Sequence, residues 1–272
     1  MNRKRVQAQI FNALTRSVAP VHPSGQGSWW YFKRALRHRL RLPVRIHGIL
    51  VNTHKVGSPL IVSRLLANWY EQSEVQALKG GIEPTDRVLE LGAGLGMTGC
   101  LAAQSATNGQ VLSFEANPEL VSVAREHAEM NGCQNFEVRH GILAANSGER
   151  DFFVSPQFWV SKLQPTPGWK RIQVKAFSLR EIVGTFRPTV VMIDIEGGEY
   201  DLLQTESDWS HHELRQLMVE FHRIEMAREW LQHSWLFHSP DWASSMTLEE
   251  VLKAIDSNHV TVTFQRKSTG CT

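Results

Sequence analysis

The sequence predicts an α/β fold: a mostly parallel seven-stranded sheet with helices on both faces and an antiparallel C-terminal strand at one edge. Three observations predict it. From Asp86 onward, short apolar strands alternate with helical stretches. A glycine-rich turn directly follows the first of these strands, at residues 92–96. The last segment, 259–265, alternates with period two, as an edge strand with one wet face does.

The elements follow in order. Residues 1–28 are polar and basic and read as an arm or a weak helix. Trp29, Trp30, Tyr31 and Phe32 then lead a basic helix that Pro43 ends. Residues 44–57 suggest a short hairpin and 60–79 a helix. Strands are expected at 87–91, 110–115, 135–140, 189–194 and 216–222, with helices between them. Asn131-Gly132 stops the helix that begins at Pro118. A hairpin is expected near 143–154, a surface loop over 155–171 and a short helix at 178–184. A helix around 223–233 follows, and Thr247 with Glu250 forms a capping box for a helix to about Asp256. These elements divide the chain into a basic N-terminal extension, 1–57, and a main domain, 58–272.

Composition narrows the class. Apolar residues at 42% and charged residues at 21% are globular values and exclude collagen-like or wholly disordered chains. No uncharged apolar run reaches about 18 residues, so no transmembrane helix is expected. The first residues lack the unbroken apolar stretch of a secretory signal. Three scattered cysteines suit a reducing compartment, and a cytoplasmic location is expected. The net charge of +2 conceals a split, because the first 70 residues hold twelve Lys or Arg and no acid. Residues 71–272 hold 17 basic and 27 acidic residues. Such asymmetry speaks of partners rather than fold. The aromatic and basic residues of 29–45 suit an anionic membrane surface, a phosphorylated substrate, or simple packing with solvated charges. No nucleic-acid module is recognisable, so nucleic acid is an unlikely partner.

Two segments carry chemistry. In the first, VLELGAGLGMTG, a buried strand ends at Glu90 and turns through Gly92, Ala93, Gly94 and Gly96 into a helix. Bare backbone there lets a ligand lie at the C-terminal edge of the sheet. The next strand ends in Glu115, followed by Ala116 and Asn117, and an acid there can accept both hydroxyls of an adenosine ribose. Two patterns overlap in this turn. Gly94-x-Gly96-x-x-Gly99 is a dinucleotide fingerprint, which would make the protein an NAD-dependent oxidoreductase. Gly92-x-Gly94-x-Gly96 preceded by Glu90 matches S-adenosylmethionine enzymes, and Glu90 favours this second pattern because a carboxylate would repel a pyrophosphate. A non-catalytic module that binds the nucleoside is the remaining rival.

In the second segment, VVMIDIEGGEYDLL, Asp194 ends a strand, and Glu196 and Glu199 flank Gly197-Gly198. Carboxylates here sit at the rim where open α/β sheets bind ligands. His222 ends the next strand, with Glu220 on the same face. Asp194 and His222, with Glu196 behind them, are the candidate proton acceptors. Tryptophans 209, 230, 235 and 242 could line an acceptor pocket or pack in the core. No complete ligand set is visible in the linear spacing, so no metal is predicted.

Glu90 to Gly96, Glu115 and, above all, Ile193-Asp194-Ile195-Glu196-Gly197-Gly198-Glu199 resemble the FkbM family of S-adenosylmethionine-dependent methyltransferases. Tyr70-Glu71 followed by Glu74 resembles the approach to the first strand in that family, and the likeness spans roughly 68–225. The resemblance implies a class I Rossmann-like methyltransferase fold, S-adenosyl-L-methionine as cofactor and O-methylation of a hydroxyl on a sugar, lipid or secondary metabolite. It places the cofactor across Tyr70, Glu71, the Glu90–Gly96 turn and the Glu115–Asn117 corner, with Asp194 at the methionine end.

Overall fold

The computed structural model describes residues 28–155, 161, 163, 165–204, 209, 213–256 and 259–267. The arm of 1–27, the side chains of Trp29 and Trp30, His211, His212 and Cys271 lie outside the described residues.

The chain opens with α1 (Ser28–Arg39), the hairpin β1 (Val44–Ile46) and β2 (Ile49–Val51), a 3₁₀ turn at Thr53–Lys55, α2 (Pro59–Ala67) and α3 (Gln72–Leu78). The α/β alternation follows: β3 (Arg87–Leu91), α4 (Met97–Ser105), β4 (Gln110–Glu115), α5 (Pro118–Met130) and β5 (Phe136–His140). Then come β6 (Ile142–Ala144), β7 (Gly148–Val154), β8 (Lys170–Ser178), α6 (Leu179–Phe186), β9 (Val190–Ile193) and α7 (Glu199–Leu202). The chain continues through β10 (Gln216–His222), α8 (Ala227–His233), α9 (Trp235–His238), β11 (Trp242–Ser244), α10 (Leu248–Ile255) and β12 (His259–Arg266).

The main sheet has seven strands in the order β11-β12-β10-β9-β3-β4-β5. β10, β9, β3, β4 and β5 are parallel, while β12 runs antiparallel between β10 and β11. The fold is the expected Rossmann-like α/β sheet with its antiparallel C-terminal strand, but β12 is not at the edge, because the short strand β11 pairs with its far side. Strand alternation divides the core between two faces. Val88, Val111, Val138 and Val190 meet α2, α4, α5 and the β1–β2 hairpin on one face. Leu89, Leu112, Val191, Leu217 and Phe264 meet the C-terminal helices on the other.

The N-terminal segment is part of the first face. Ala35, Val44, Ile46, Ile49 and Val51 are buried in the same cluster as the sheet. Two side chains of α5 hold the hairpin by its backbone. Asn131 accepts from Leu50 N and donates to Leu50 O, at 2.8 Å each. His127, fully buried, accepts from Asn52 N through Nε2, so its Nδ1 is left to donate to Leu95 O.

Three expectations change. The single helix over 60–79 is two helices, broken at Asn68 and Glu71, both in the left-handed region at φ 65° and 51°. Asn68 tolerates that conformation, and its Oδ1 accepts from His47 N at 3.0 Å. The break places Tyr70 and Glu71 on the ligand cavity. The hairpin near 143–154 does not form, because β6 and β7 pair with β8 between them, in a second sheet of order β6-β8-β7. The loop of 155–171 accordingly ends at Lys170, where β8 begins.

At the opposite end of the main sheet, Asp86 is 3% exposed. It accepts from Thr189 Oγ1 and Glu83 N at 2.6 Å and from Arg215 through both nitrogens of a bidentate pair. Burial alone would raise its pKa, but Arg215, Thr189 and the Glu83 amide outweigh it and hold the carboxyl below its ordinary value. The stability that Asp86 contributes is therefore complete above about pH 3.9 and is lost as pH falls through the lower folded value. Asp86→Ala strips these partners of their acceptor and is expected to cost about 3 kcal/mol, a fall in Tm of roughly 6–12 °C by calorimetry. A loss within 1 °C would show that the pair contributes nothing net.

Candidate functional site

The carboxyl ends of β3, β4, β9 and β10 open into a cavity of about 830 Å³. That is ample for a nucleoside cofactor together with part of a second substrate. Tyr70, Glu71, Gly92, Gly94, Glu115, Ala116, Asp194, Glu196 and His222 all line it. Linear spacing thus brought these residues to one cavity. Trp69 is the tryptophan on its wall, whereas Trp209 and Trp242 are buried in the core, where Trp235 also packs and Trp230 stacks edge-on to Tyr200.

The glycine turn is built by two kinds of necessity. Gly92 has φ 92°, and a Cβ there would meet Asp194 O at 1.8 Å, so this glycine lets β3 and β9 end side by side. Gly96 lies against Ala124 and Gly99 against Phe136, so both serve helix packing. Gly94 lines the cavity with no backbone or packing neighbour against it, and a Cβ there would come within 3.6 Å of Glu71 Oε1 and the Tyr70 hydroxyl. The spacing read as a dinucleotide fingerprint is therefore largely a packing pattern. Ala93 is buried behind the turn, and Asn117 caps α5 by accepting from Glu119 N.

Glu115 is fixed from two sides. Its carboxylate accepts from Gly94 N at 2.9 Å and Asn117 N at 2.8 Å, so the turn and the β4 corner hold one another. Burial raises its pKa to about 7 against these amide bonds. Glu90 sits deeper, 2% exposed, and accepts from Thr98 Oγ1 at 2.6 Å and from the Ser113 hydroxyl. It is absent from the wall of the large cavity and lines a small recess behind it with Glu71, Gly92, Asp194 and Glu220. Burial lifts Glu90 to about 7 as well, opposed by the two hydroxyls.

The β9–β10 side of the cavity centres on His222. Its Nε2 lies 3.7 Å from Asp194 Oδ1 and 3.6 Å from Glu196 Oε2, and its Nδ1 lies 3.4 Å from Glu199 Oε1. Burial alone would lower its pKa, but Glu199, Asp194 and Glu196 outweigh it and push it up to about 9. A value that high favours the imidazolium, which faces carboxylates on both of its nitrogens. Burial raises Asp194 to about 6 against the pull of His222, which favours its ionised form at neutral pH.

Three residues of this site were not assigned from the sequence. Glu199, wholly buried, accepts from Gly197 N at 2.8 Å and His222 N at 2.7 Å, so it fastens the post-β9 loop to β10. Glu196 adopts φ 53° within that loop. Glu220, buried and beside Asp194 and Glu74, is pushed up to about 11 and is a neutral carboxylic acid. His259, opposite His222 on β12, lies 3.2 Å from Glu220 Oε1. The ligand-type atoms of Glu220, His222 and His259, and those of Asp194, Glu196 and His222, each lie within 4.8 Å of one another. The cross-strand partner of His222 could be found only from the antiparallel register of β10 and β12.

The wall is strongly acidic. Glu71, Glu74, Glu115, Asp194, Glu196, Asp201 and Glu220 line it against two guanidiniums, Arg64 and Arg150. Glu71 Oε2 is buried and has no hydrogen-bond partner among the described residues. Burial and then the charge of Glu74 raise the Glu71 pKa well above the ordinary value. A cationic ligand group would relieve both the surplus charge and this unpaired oxygen.

The description "Methyltransferase FkbM domain" matches residues 90–257. An arsenite methyltransferase of Halobacterium salinarum is 41% identical over 61 residues, 22% of this chain and 16% of that protein. Protein-L-isoaspartate O-methyltransferase 1 of Arabidopsis thaliana is 33% identical over 76 residues, 28% of this chain and 33% of that protein. The chain thus matches a third or less of the length of these curated relatives. Among solved structures, a precorrin-6y C5,15-methyltransferase of Geobacter metallireducens gives a TM-score of 0.41 at 12% identity, covering 71% of this chain and 87% of that one. A protein of the NADB-Rossmann superfamily from Streptococcus agalactiae gives 0.40 at 12% identity, covering 74% and 71%.

Proposed function

From the premise that the chain belongs to the methyltransferase FkbM domain family and uses S-adenosyl-L-methionine, we propose that it methylates a hydroxyl on a sugar, lipid or secondary metabolite. The observation that carries this reading is the pairing, at one rim, of an ionised carboxylate, Asp194, with an imidazolium, His222. A hydroxyl must lose its proton as it is methylated, and an amine in its neutral form needs no such help before attack.

The cofactor supplies an electrophilic methyl on a cationic sulfonium. Glu71 Oε2, unpaired beside Tyr70 and Gly94, fits the cofactor's ammonium group. Glu115, already aimed by two amides, would accept from the ribose hydroxyls. Glu90 braces the turn from behind through Thr98 and Ser113. Asp194 takes the acceptor proton. His222 is a positioning residue that keeps Asp194 and Glu196 oriented, and Glu199 in turn holds the His222 backbone.

Thermal shift with S-adenosylhomocysteine against NAD at matched concentration tests the cofactor. A ligand at about 100 times its Kd stabilises the native state by roughly 2.7 kcal/mol. A shift with the nucleoside thioether alone is expected, and Glu115→Ala should weaken it at least tenfold in Kd while changing kcat little. A shift with NAD alone would return the turn to the dinucleotide reading. Labelled methyl transfer to hydroxylated acceptors, against amine analogues of the same acceptors, then tests the hydroxyl assignment.

A further inference from the structure

Six large apolar side chains are exposed among the described residues, and four fall between residues 36 and 60: Leu36 on α1 at 38%, Leu40 and Leu42 in the turn that follows it at 59% and 43%, and Leu60 on α2 at 53%. Single exposed leucines need no explanation, but a group of them marks an interaction surface.

Their setting is basic without exception. From Ser28 to Tyr70 the chain carries eight Lys or Arg and no Asp or Glu. On α1, the inner face is Tyr31, Arg34, Ala35 and His38, with Ala35 buried, Arg34 donating to Leu66 O and His38 bonded to Thr53 Oγ1. The outer face, at the complementary helical spacing, is Lys33, Leu36 and Arg37, and Leu40 and Arg41 follow in the turn beyond the helix, all exposed. Arg39 and Arg41 have no carboxylate and no hydrogen-bond partner among the described residues. Leucine and arginine therefore share one outward stripe.

The end of the helix adds a second observation. Leu42 N donates to Arg37 O and Arg41 N to His38 O, the paired bonds of a Schellman turn. Arg41 stands at the left-handed position of that turn, φ 54°, where glycine costs least. The chain keeps a cation there at a conformational cost of about 1 kcal/mol, and no partner among the described residues explains it.

We propose that α1 and the start of α2 form a docking surface for an anionic phospholipid bilayer, with Leu36, Leu40, Leu42 and Leu60 entering the interface and Arg39 and Arg41 meeting the headgroups. Interleaved leucine and arginine on one helical face fits a surface that is anionic outside and apolar just beneath. A nucleic acid would use the arginines and leave the leucines idle. The surface also runs to the cavity, because Arg64 lies one turn from Leu60 on α2 and lines the cavity wall. The proposal concerns binding alone and holds whatever hydroxyl is methylated.

The test is flotation of the full chain with phosphatidylcholine vesicles and with vesicles containing about 30% phosphatidylserine, in about 0.1 M and about 0.5 M salt. Binding is expected to the anionic vesicles only and to fall with salt. Leu40→Ser is expected to weaken it about tenfold. Arg41→Gly should weaken it about fivefold while leaving Tm unchanged or higher, which separates lost binding from lost folding. Equal binding to both vesicle types, or binding that ignores Leu40→Ser and Arg41→Gly, overturns the proposal. So does tight binding of a single-stranded oligonucleotide that Leu40→Ser leaves intact, which assigns the face to nucleic acid. A concentration-dependent dimer in sedimentation that Leu40→Ser dissolves assigns it to a second copy of the chain and equally overturns the lipid assignment.

Discussion

Asp194→Ala is expected to lower kcat by about 100- to 10,000-fold, the usual contribution of a positioned proton acceptor. Asp194→Asn should do the same while keeping the shape of the side chain. Donor affinity, read by thermal shift with S-adenosylhomocysteine, should change far less. The pH profile of kcat/KM separates the two candidate bases, because it reports groups of the free enzyme. With Asp194 as base and His222 as its imidazolium partner, the profile rises through about pH 6 and falls through about pH 9. With His222 as base, the profile would rise through about 9 and show no descending limb there. His222→Gln should flatten the descending limb and lower kcat less than Asp194→Ala does. Full turnover by Asp194→Ala at saturating donor would remove it from the reaction.

The strands of the parallel sheet were legible because each is a continuous apolar run bounded by turn residues, as strands buried on both faces must be. β3, with burial from Val88 to Leu91, and β9, buried throughout, are the plainest cases. The rim residues Glu115 and Asp194 follow directly, because each stands where its strand gives way to a turn at the carboxyl edge of the sheet, where open α/β folds bind ligands. What escaped notice has specific causes. β8 alternates at Ile172, Val174 and Ala176, but it follows a proline-rich stretch whose loop character was extended too far. The break between α2 and α3 carries no glycine or proline, so only Asn68 announced it. Glu199 and Glu220 look like ordinary acids in the sequence. Their roles arise from burial against His222 and Asp194, which no linear spacing displays. Glu90 carries the same lesson in reverse. It ends its strand as expected, yet Thr98 and Ser113 hold its carboxylate behind the turn.

Gly92 and Gly94 share a motif and a left-handed backbone, and their alanine variants are expected to fail in different ways. A Cβ at residue 92 would meet Asp194 O at 1.8 Å and Asp194 C at 2.9 Å. Both are backbone atoms at the end of a buried strand, so no rotamer change can relieve the overlap. Gly92→Ala must part β3 from β9 and displace Asp194 itself. Overpacking together with the unfavourable φ should cost at least about 3 kcal/mol, a fall in Tm of roughly 6–12 °C or more. Activity should vanish with the fold. A Cβ at residue 94 would sit 3.6 Å from Glu71 Oε1 and from the Tyr70 hydroxyl, in ordinary contact, with φ 52° costing about 1 kcal/mol. Gly94→Ala should therefore fold, with Tm lowered by roughly 2–4 °C. Its methyl, however, stands in the space where the cofactor's ammonium would reach Glu71. Donor KM should rise at least tenfold, with kcat at saturation reduced much less. Calorimetry beside donor titration distinguishes the two, since Gly92 is required by the sheet and Gly94 is expected to be required by the ligand. A Gly94→Ala protein with unaltered donor affinity would place the cofactor elsewhere in the cavity, away from Glu71 and Tyr70.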